Sequence, residues 1–355
     1  MRNGVTAVWR FLENGRLDTG FYSYTGTQGY TEIDMGGYNR GLDIAAGNNG
    51  EIYVTGTGYS GYAQMFLVKY KDNCAGCFAS PTATATATIY TCVKAWQTVG
   101  TPGFSSSEAY NGQIKVYEGV PYVAYAPYTG GNLYDNYAEV RAFVGSNWVN
   151  LGDSHFFIGD RSFSMDVSNE AVYFAYLDYN DSYKLKVMKY ESGVWTAVGA
   201  PLASAGSIYQ MQMRVSNGVP YIVYNDSGLS YKLTVQKYNG LAWEYVGTPG
   251  FTNSAVVGFS MEVNNDRPYI AYIEWINGKA SVMEFNGTYW SFLGAPAFTT
   301  GQAGIPEIMI ANNVPYIAFA DANSDYKVSV MVFNGVFWNY LGGPGFSSDS
   351  VDGTI

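Results

Sequence analysis

The sequence predicts an all-β fold: a β-propeller of four-stranded antiparallel blades with about seven blade positions. Six full repeats would supply six blades, and the two termini together a seventh; six blades is the alternative. Three observations carry this reading. A tryptophan motif recurs about every 48 residues along most of the 355-residue chain. Apolar–polar alternation between Asn-Gly turns fills each interval, the pattern of β-hairpins. The composition also suits sheet, with 33 Tyr, 42 Gly and only 14% charged residues. An average soluble domain carries roughly 25% charged residues, while Tyr favours strands and Gly favours turns.

The motif is Trp followed within four residues by Val-Gly or Leu-Gly. It occurs at Trp96, Trp148, Trp195, Trp243, Trp290 and Trp338, with spacings of 52, 47, 48, 47 and 48 residues. Periods of 40 to 50 residues are typical of propeller blades. Each unit reads alike. After the Gly comes a loop such as Pro102-Gly103-Phe104-Ser105 or Pro249-Gly250-Phe251-Thr252. A first alternating strand follows, for example Phe259 to Val263. The second strand is nearly all apolar, as in Pro121 to Tyr125, Pro220 to Tyr224 and Pro268 to Tyr272. A polar loop leads to a third strand, such as Tyr231 to Tyr238. A tight turn at Asn239-Gly240, Asn286-Gly287 or Asn334-Gly335 then precedes the Trp strand. The six recurring tryptophans are expected to pack between adjacent blades. A single propeller domain over residues 1–355 is expected.

The ends are irregular. Val5 to Phe11 and Leu17 to Tyr24 match third and fourth strands, and Gly343 to Phe346 could begin a first strand. The second strand of that terminal blade is missing from both ends. A strand from another subunit could fill the gap by β-addition. Residues 72–94 form a Cys/Thr/Ala-rich insertion within the first full blade. In it Thr82, Thr84, Thr86 and Thr88 alternate with Ala, and Ile89 follows. This segment reads either as a flexible spacer or as a candidate assembly strand.

Cys77 and Cys92, or Cys74 and Cys92, could form a disulfide. Zinc would need a fourth ligand, and the one histidine, His155, is far away in sequence. The formal charge of −10 disfavours nucleic acid. No apolar run is long enough for membrane insertion, and Met1 to Val5 does not read as a signal peptide. Catalytic motifs are not found: no phosphate-cradling loop, no nucleophile elbow, no paired carboxylates at repeated positions. No metal or other cofactor is expected. Ca²⁺ binding by Asp/Asn-rich loops, such as Asp178 to Asp181 and Asp321 to Asp325, is a weak alternative to Asx-turns. Asn180, Asn225 and Asn286 head sequons, each expected in a turn, where an attached glycan is tolerated.

The pattern Trp-x-x-Val-Gly, Pro-Gly-Phe-Ser, Gly-Val-Pro-Tyr-Val-Ala-Tyr resembles repeat arrays of secreted and cell-surface bacterial β-propeller proteins, over residues 95 to 346. The segment Ala7 to Tyr70 looks more like SBBP-type propeller repeats. The resemblance implies the fold and export, and it brings no catalytic motif. The expected function is a non-catalytic, extracellular or cell-surface structural or adhesive propeller, self-assembling into an oligomer or filament. A glycan-binding, lectin-like propeller is the alternative, with exposed Tyr and Trp on loops stacking on sugars. A carbohydrate-active hydrolase or lyase comes third. The expected partners are further copies of the chain, or surface glycans.

Overall fold

The computed structural model describes residues 6–9, 30–33, 38–47, 51–59, 63–72, 94–128, 137–153, 156–347 and 349–351. Cys74, Cys77, Cys92, His155 and the Thr82 to Ile89 segment lie outside them. The chain forms two compact units, Met1–Phe156 and Phe157–Ile355.

The described residues form six four-stranded antiparallel blades of a β-propeller. The first unit holds two. Blade 1 comprises Tyr38–Ala46, Ile52–Tyr59, Ala63–Asp72 and Lys94–Thr98, and blade 2 comprises Ala109–Tyr117, Val120–Pro127, Tyr137–Val144 and Asn147–Asn150. The second unit holds blade 3 (Phe156–Ser168, Ala171–Asp178, Lys184–Glu191, Val194–Ala197) and blade 4 (Ile208–Ser216, Val219–Asp226, Lys232–Tyr238, Trp243–Tyr245). Blade 5 (Val256–Asn264, Arg267–Glu274, Ala280–Phe285, Trp290–Phe292) and blade 6 (Glu307–Ala311, Val314–Asp321, Lys327–Phe333, Trp338–Tyr340) complete it. Each blade is a meander whose consecutive strands pair in sequence order, as in blade 5.

The six-blade alternative is therefore the one observed, and the seven-position reading is corrected. Among the described residues, Thr6–Trp9 pairs antiparallel with Tyr30–Ile33 in a two-stranded sheet, and no seventh four-stranded blade is formed. Val8 and Ile33 of this sheet bury against Val54, Phe66, Val68 and Tyr70 of blade 1. At the other end, Phe346 and Val351 bond to the third strand of blade 6 and the turn before it, through Val328 and Tyr326.

The repeated residues each make a repeated contact. Trp148 Nε1 donates to the Val99 carbonyl of blade 1 at 3.2 Å. Trp243 donates to Val198 at 3.0 Å, Trp290 to Val246 at 2.8 Å and Trp338 to Leu293 at 2.8 Å. In each case the Trp of one blade is held by the motif's own Val or Leu in the blade before. The Gly after that Val or Leu has φ near +70°, as at Gly100 (+70°) and Gly247 (+75°). A Cβ on Gly247 would lie 2.9 Å from Trp290 Cδ1. Left-handed backbone and close indole approach together require glycine.

The Pro-Gly-Phe loop, Pro-Ala-Phe at Pro296 to Phe298, supplies a second clamp. Phe104 stacks on Trp148 with centroids 4.3 Å apart, Phe251 on Trp290 at 4.3 Å and Phe298 on Trp338 at 5.0 Å. The following Ser or Thr faces inward. Ser105, Thr252, Thr299 and Ser347 accept from Met65, Leu233, Ala280 and Val328 N–H at 3.0–3.2 Å. Each therefore satisfies a donor at or near the start of a third strand. First strands are joined side chain to backbone: Asp43 accepts from Ile114 N–H at 2.8 Å, Ser164 from Met213 at 3.0 Å and Ser260 from Ile308 at 2.8 Å. These bonds occupy edge-strand donors that would otherwise be buried unpaired.

Two outcomes follow. Trp290→Phe keeps the stack on Phe251 but strands the Val246 carbonyl, so it lowers the unfolding free energy by about 1 kcal/mol; Trp290→Ala lowers it by about 3–5 kcal/mol. Chemical denaturation measures both. Burial raises the Tyr125, Tyr224 and Tyr272 phenols above their ordinary value of 10.0, with the Glu139 bond adding to the rise at Tyr125. The fold thus favours the protonated phenol, and the unfolded chain loses those protons first. Stability from this source is intact below pH 10.0 and falls as pH rises beyond it. Denaturant midpoints measured from neutral pH upward would show a steady drop above that value.

Candidate functional site

The loop between second and third strands differs among blades. Blades 3, 4 and 6 share one solution: an Asp ends the second strand, a short 3₁₀ turn follows, and a left-handed Tyr precedes Lys. The runs are Asp178 to Lys184, Asp226 to Lys232 and Asp321 to Lys327. Each Asp is an N-cap whose Oδ1 accepts the N–H two residues on, at 2.9, 2.8 and 3.0 Å. The second oxygen is also engaged. Asp178 Oδ2 meets Lys186 at 2.8 Å, Asp226 Oδ2 accepts from Ala205 N–H at 2.7 Å, and Asp321 Oδ2 accepts from Ser329 and Tyr340 hydroxyls. These are Asx-turns, with carboxylates committed to the fold. No cluster of three or more His, Cys, Asp or Glu that could hold a metal occurs among the described residues.

Blade 5 breaks the pattern. Its loop reads Glu274-Trp275-Ile276-Asn277-Gly278-Lys279, one residue shorter and without the tyrosine. The shorter loop closes as a single turn, with Gly278 N–H donating to the Glu274 carbonyl at 2.9 Å. Gly278 has φ +64°, and a Cβ there would lie 3.0 Å from Gln302 Cγ. Its carbonyl accepts from Ala303 N–H of the segment entering blade 6, at 2.8 Å. Trp275 N–H is held by the Ala255 carbonyl at 2.9 Å. The backbone is thus anchored on both sides while the side chains at its tip are free. Trp275 is 77% exposed and Ile276 78%.

Behind them lies an open cleft of about 540 Å³ between blades 5 and 6. Its walls combine Trp275, Ile276, Val257 and Ile305 with Glu274, Asn277, Gln302 and the half-exposed Tyr326. Glu274 is 8% exposed. Its Oε2 receives one long bond, 3.4 Å, from Asn277 Nδ2, and its Oε1 is buried with no partner. The other strand-ending acids are doubly satisfied, so this oxygen is the exception. Native structures rarely leave such an atom unpaired.

A second group of ionisable residues lies in blade 2, where Arg141 Nε is buried without a partner but the carboxylate is fully engaged. Glu139 accepts from Ser106, Tyr125 and Arg141, and Arg141 also donates to the Phe104 carbonyl. Both Glu139 oxygens are occupied, and the group ties the Phe104 loop to its blade.

The sequence-predicted residues fall as follows. Trp148, Trp243, Trp290 and Trp338 sit between blades, as described. Trp96 packs edge-on against Tyr70 at 5.4 Å, and Trp195 lies against Phe174 and Tyr190. Asn180 is exposed on the 3₁₀ turn Tyr179–Asp181, and Asn286 is exposed in its turn, where its Oδ1 accepts from Thr288 and Tyr289 N–H. Asn225 does not lie in a turn. It is in the second strand of blade 4, 1% exposed, accepting from Gln210 N–H and donating to the Val256 carbonyl. Its side chain is used within the core, and a glycan attached there would have no room. Glu274, Trp275 and Ile276 were not singled out by sequence reasoning. The signal was there: this repeat alone among the last four lacks the Asp-to-Tyr-Lys run.

No protein-family model and no curated protein matches the sequence. Solved structures do resemble the fold. YjhT aligns with TM-score 0.54 at 12% identity, covering 84% of this chain and 96% of its own. SapL1 lectin in complex with alpha methyl fucoside aligns at 0.52 and 13%, covering 86% and 96%. AofleA from Arthrobotrys oligospora aligns at 0.52 and 10%, covering 86% and 90%. Identities this low establish the fold and nothing finer.

Proposed function

We propose that the protein is a carbohydrate-binding propeller of lectin type, with a sugar site in the cleft between blades 5 and 6. The observation that carries this reading is the Glu274–Trp275 pair: a buried, unpartnered acceptor beside a fully presented indole. A sugar ring offers both complements. Its C–H face suits an aromatic platform, and its hydroxyls suit an acceptor and the amides of Asn277 and Gln302. At the level of fold, SapL1 lectin holds a methyl fucoside on a similar frame.

The single carboxylate favours binding over hydrolysis. Among the described residues, Glu274 is the one acid that lines the cleft, and glycoside cleavage by acid–base chemistry uses two facing carboxylates. On this reading the protein acts on surface glycans outside the cell, in an adhesive role. The self-assembling structural reading rests on the Thr82 to Ile89 segment of the 72–94 insertion, outside the described residues, and on the chain ends, whereas the sugar site rests on described residues.

A glycan array followed by calorimetry tests the proposal. The wild type retains a defined set of glycans; Trp275→Ala weakens them about tenfold, the equivalent of ~1.4 kcal/mol, and Trp275→Phe keeps most of the affinity. Because the side chain is exposed, Trp275→Ala unfolds within about 0.5 kcal/mol of wild type. Absence of any glycan binding by the folded wild type overturns the reading.

A further inference from the structure

We infer that the cleft between blades 5 and 6 selects sugars bearing a free amine, 2-amino-2-deoxy hexoses in their ammonium form, over neutral and acidic ones. This rests on the sugar-binding reading above and sharpens it.

The argument starts from Glu274. A carboxylate taken out of water is costly unless a cation or several donors replace the lost hydration. In blade 3 the equivalent Asp178 has Lys186 at 2.8 Å. In blades 4 and 6 the equivalents have two or more donors each. Glu274 has neither. Oε1 has no partner, and Oε2 has only Asn277 at 3.4 Å. Among the described residues, the cleft walls include no Lys or Arg. The site thus holds an uncompensated acceptor and lacks the charge that would balance it.

A hydroxyl donates a hydrogen bond to such an oxygen but leaves its charge in place. An ammonium donates one in which both partners are ionised, and it neutralises the buried charge as well. Trp275 adds to the preference. Its indole lines the same cleft as Glu274, and an indole face attracts a cation. The apolar wall formed by Ile276, Val257 and Ile305 suits the ring's C–H edges. For acidic sugars the same features work in reverse. A uronate or sialate carboxylate would face Glu274 with no cation to receive it, on a chain of net charge −10. The acetyl group of an N-acetyl sugar removes the ammonium and leaves Oε1 with a neutral amide donor.

The test uses the full chain and three trisaccharide probes: the glucosamine trimer, its N-acetylated counterpart and a galacturonate trimer. Calorimetry at low salt should give at least about tenfold tighter binding of the amine form than of the acetylated form, and none of the uronate. Added salt should narrow that ratio. Glu274→Gln keeps an acceptor and removes the charge. It should bring the amine and acetyl forms to near parity while acetylated binding survives, and Trp275→Ala should weaken both, the amine form more. A trilysine peptide reports charge without a ring and should compete poorly. Equal or tighter binding of the acetylated trimer overturns the amine preference and leaves sugar binding standing. Competition by trilysine as strong as by the amine sugar overturns the sugar as occupant. Failure of all three trimers, with the wild type also silent on the array, removes both readings.

Discussion

The hydrogen bond from one blade's indole N–H to the previous blade's Val or Leu carbonyl organises the blades within each unit. It explains why Trp, Val or Leu, and Gly recur as a group. The Trp is the donor, and the Val or Leu supplies the acceptor and a buried side chain. The Gly permits the left-handed turn that brings the carbonyl to the indole. Phe of the Pro-Gly-Phe loop covers the indole's face, and the next Ser or Thr pins that loop to its own third strand. A four-stranded sheet alone has two exposed faces and two open edges. Linking each blade to its neighbour through one residue set buries the faces and occupies the edge donors together.

Such a frame leaves the loops free to vary. Blades 3, 4 and 6 use theirs for local capping, with both oxygens of each capping Asp engaged. Blade 5 shortens the loop by one residue and loses the capping Asp and the left-handed Tyr. What results is an exposed indole and an acid with an oxygen left over. Departures from a locally consistent pattern are where function is expected to sit. The anchors on either side of this turn, from Ala255 and to Ala303, come from backbone groups. The tip can therefore change without disturbing the blades.

Much of the fold was legible in the sequence for a physical reason. The Trp-x-x-Val-Gly and Asn-Gly signals are local, and each strand lies where alternation between turns puts it. Blade number was less legible, because Thr6–Trp9 looks like a third strand whether it pairs within a blade or with Tyr30–Ile33. Burial also escaped the pattern: Asn225 reads as a turn sequon yet fills a core position, since its amide bridges Gln210 and Val256. The cleft was the least legible. The idea of aromatic loops for sugars was general, and attention to what repeats passed over Trp275, which does not repeat.

The most direct test restores the repeat. Replacing Glu274 to Gly278 with the blade 6 sequence Asp321 to Tyr326 rebuilds the capped turn and deletes both the indole and the unpaired acid. The account predicts a chain that unfolds at the same denaturant concentration as wild type and no longer retains glycans on the array. Glycan retention at wild-type strength by that folded chain would contradict it.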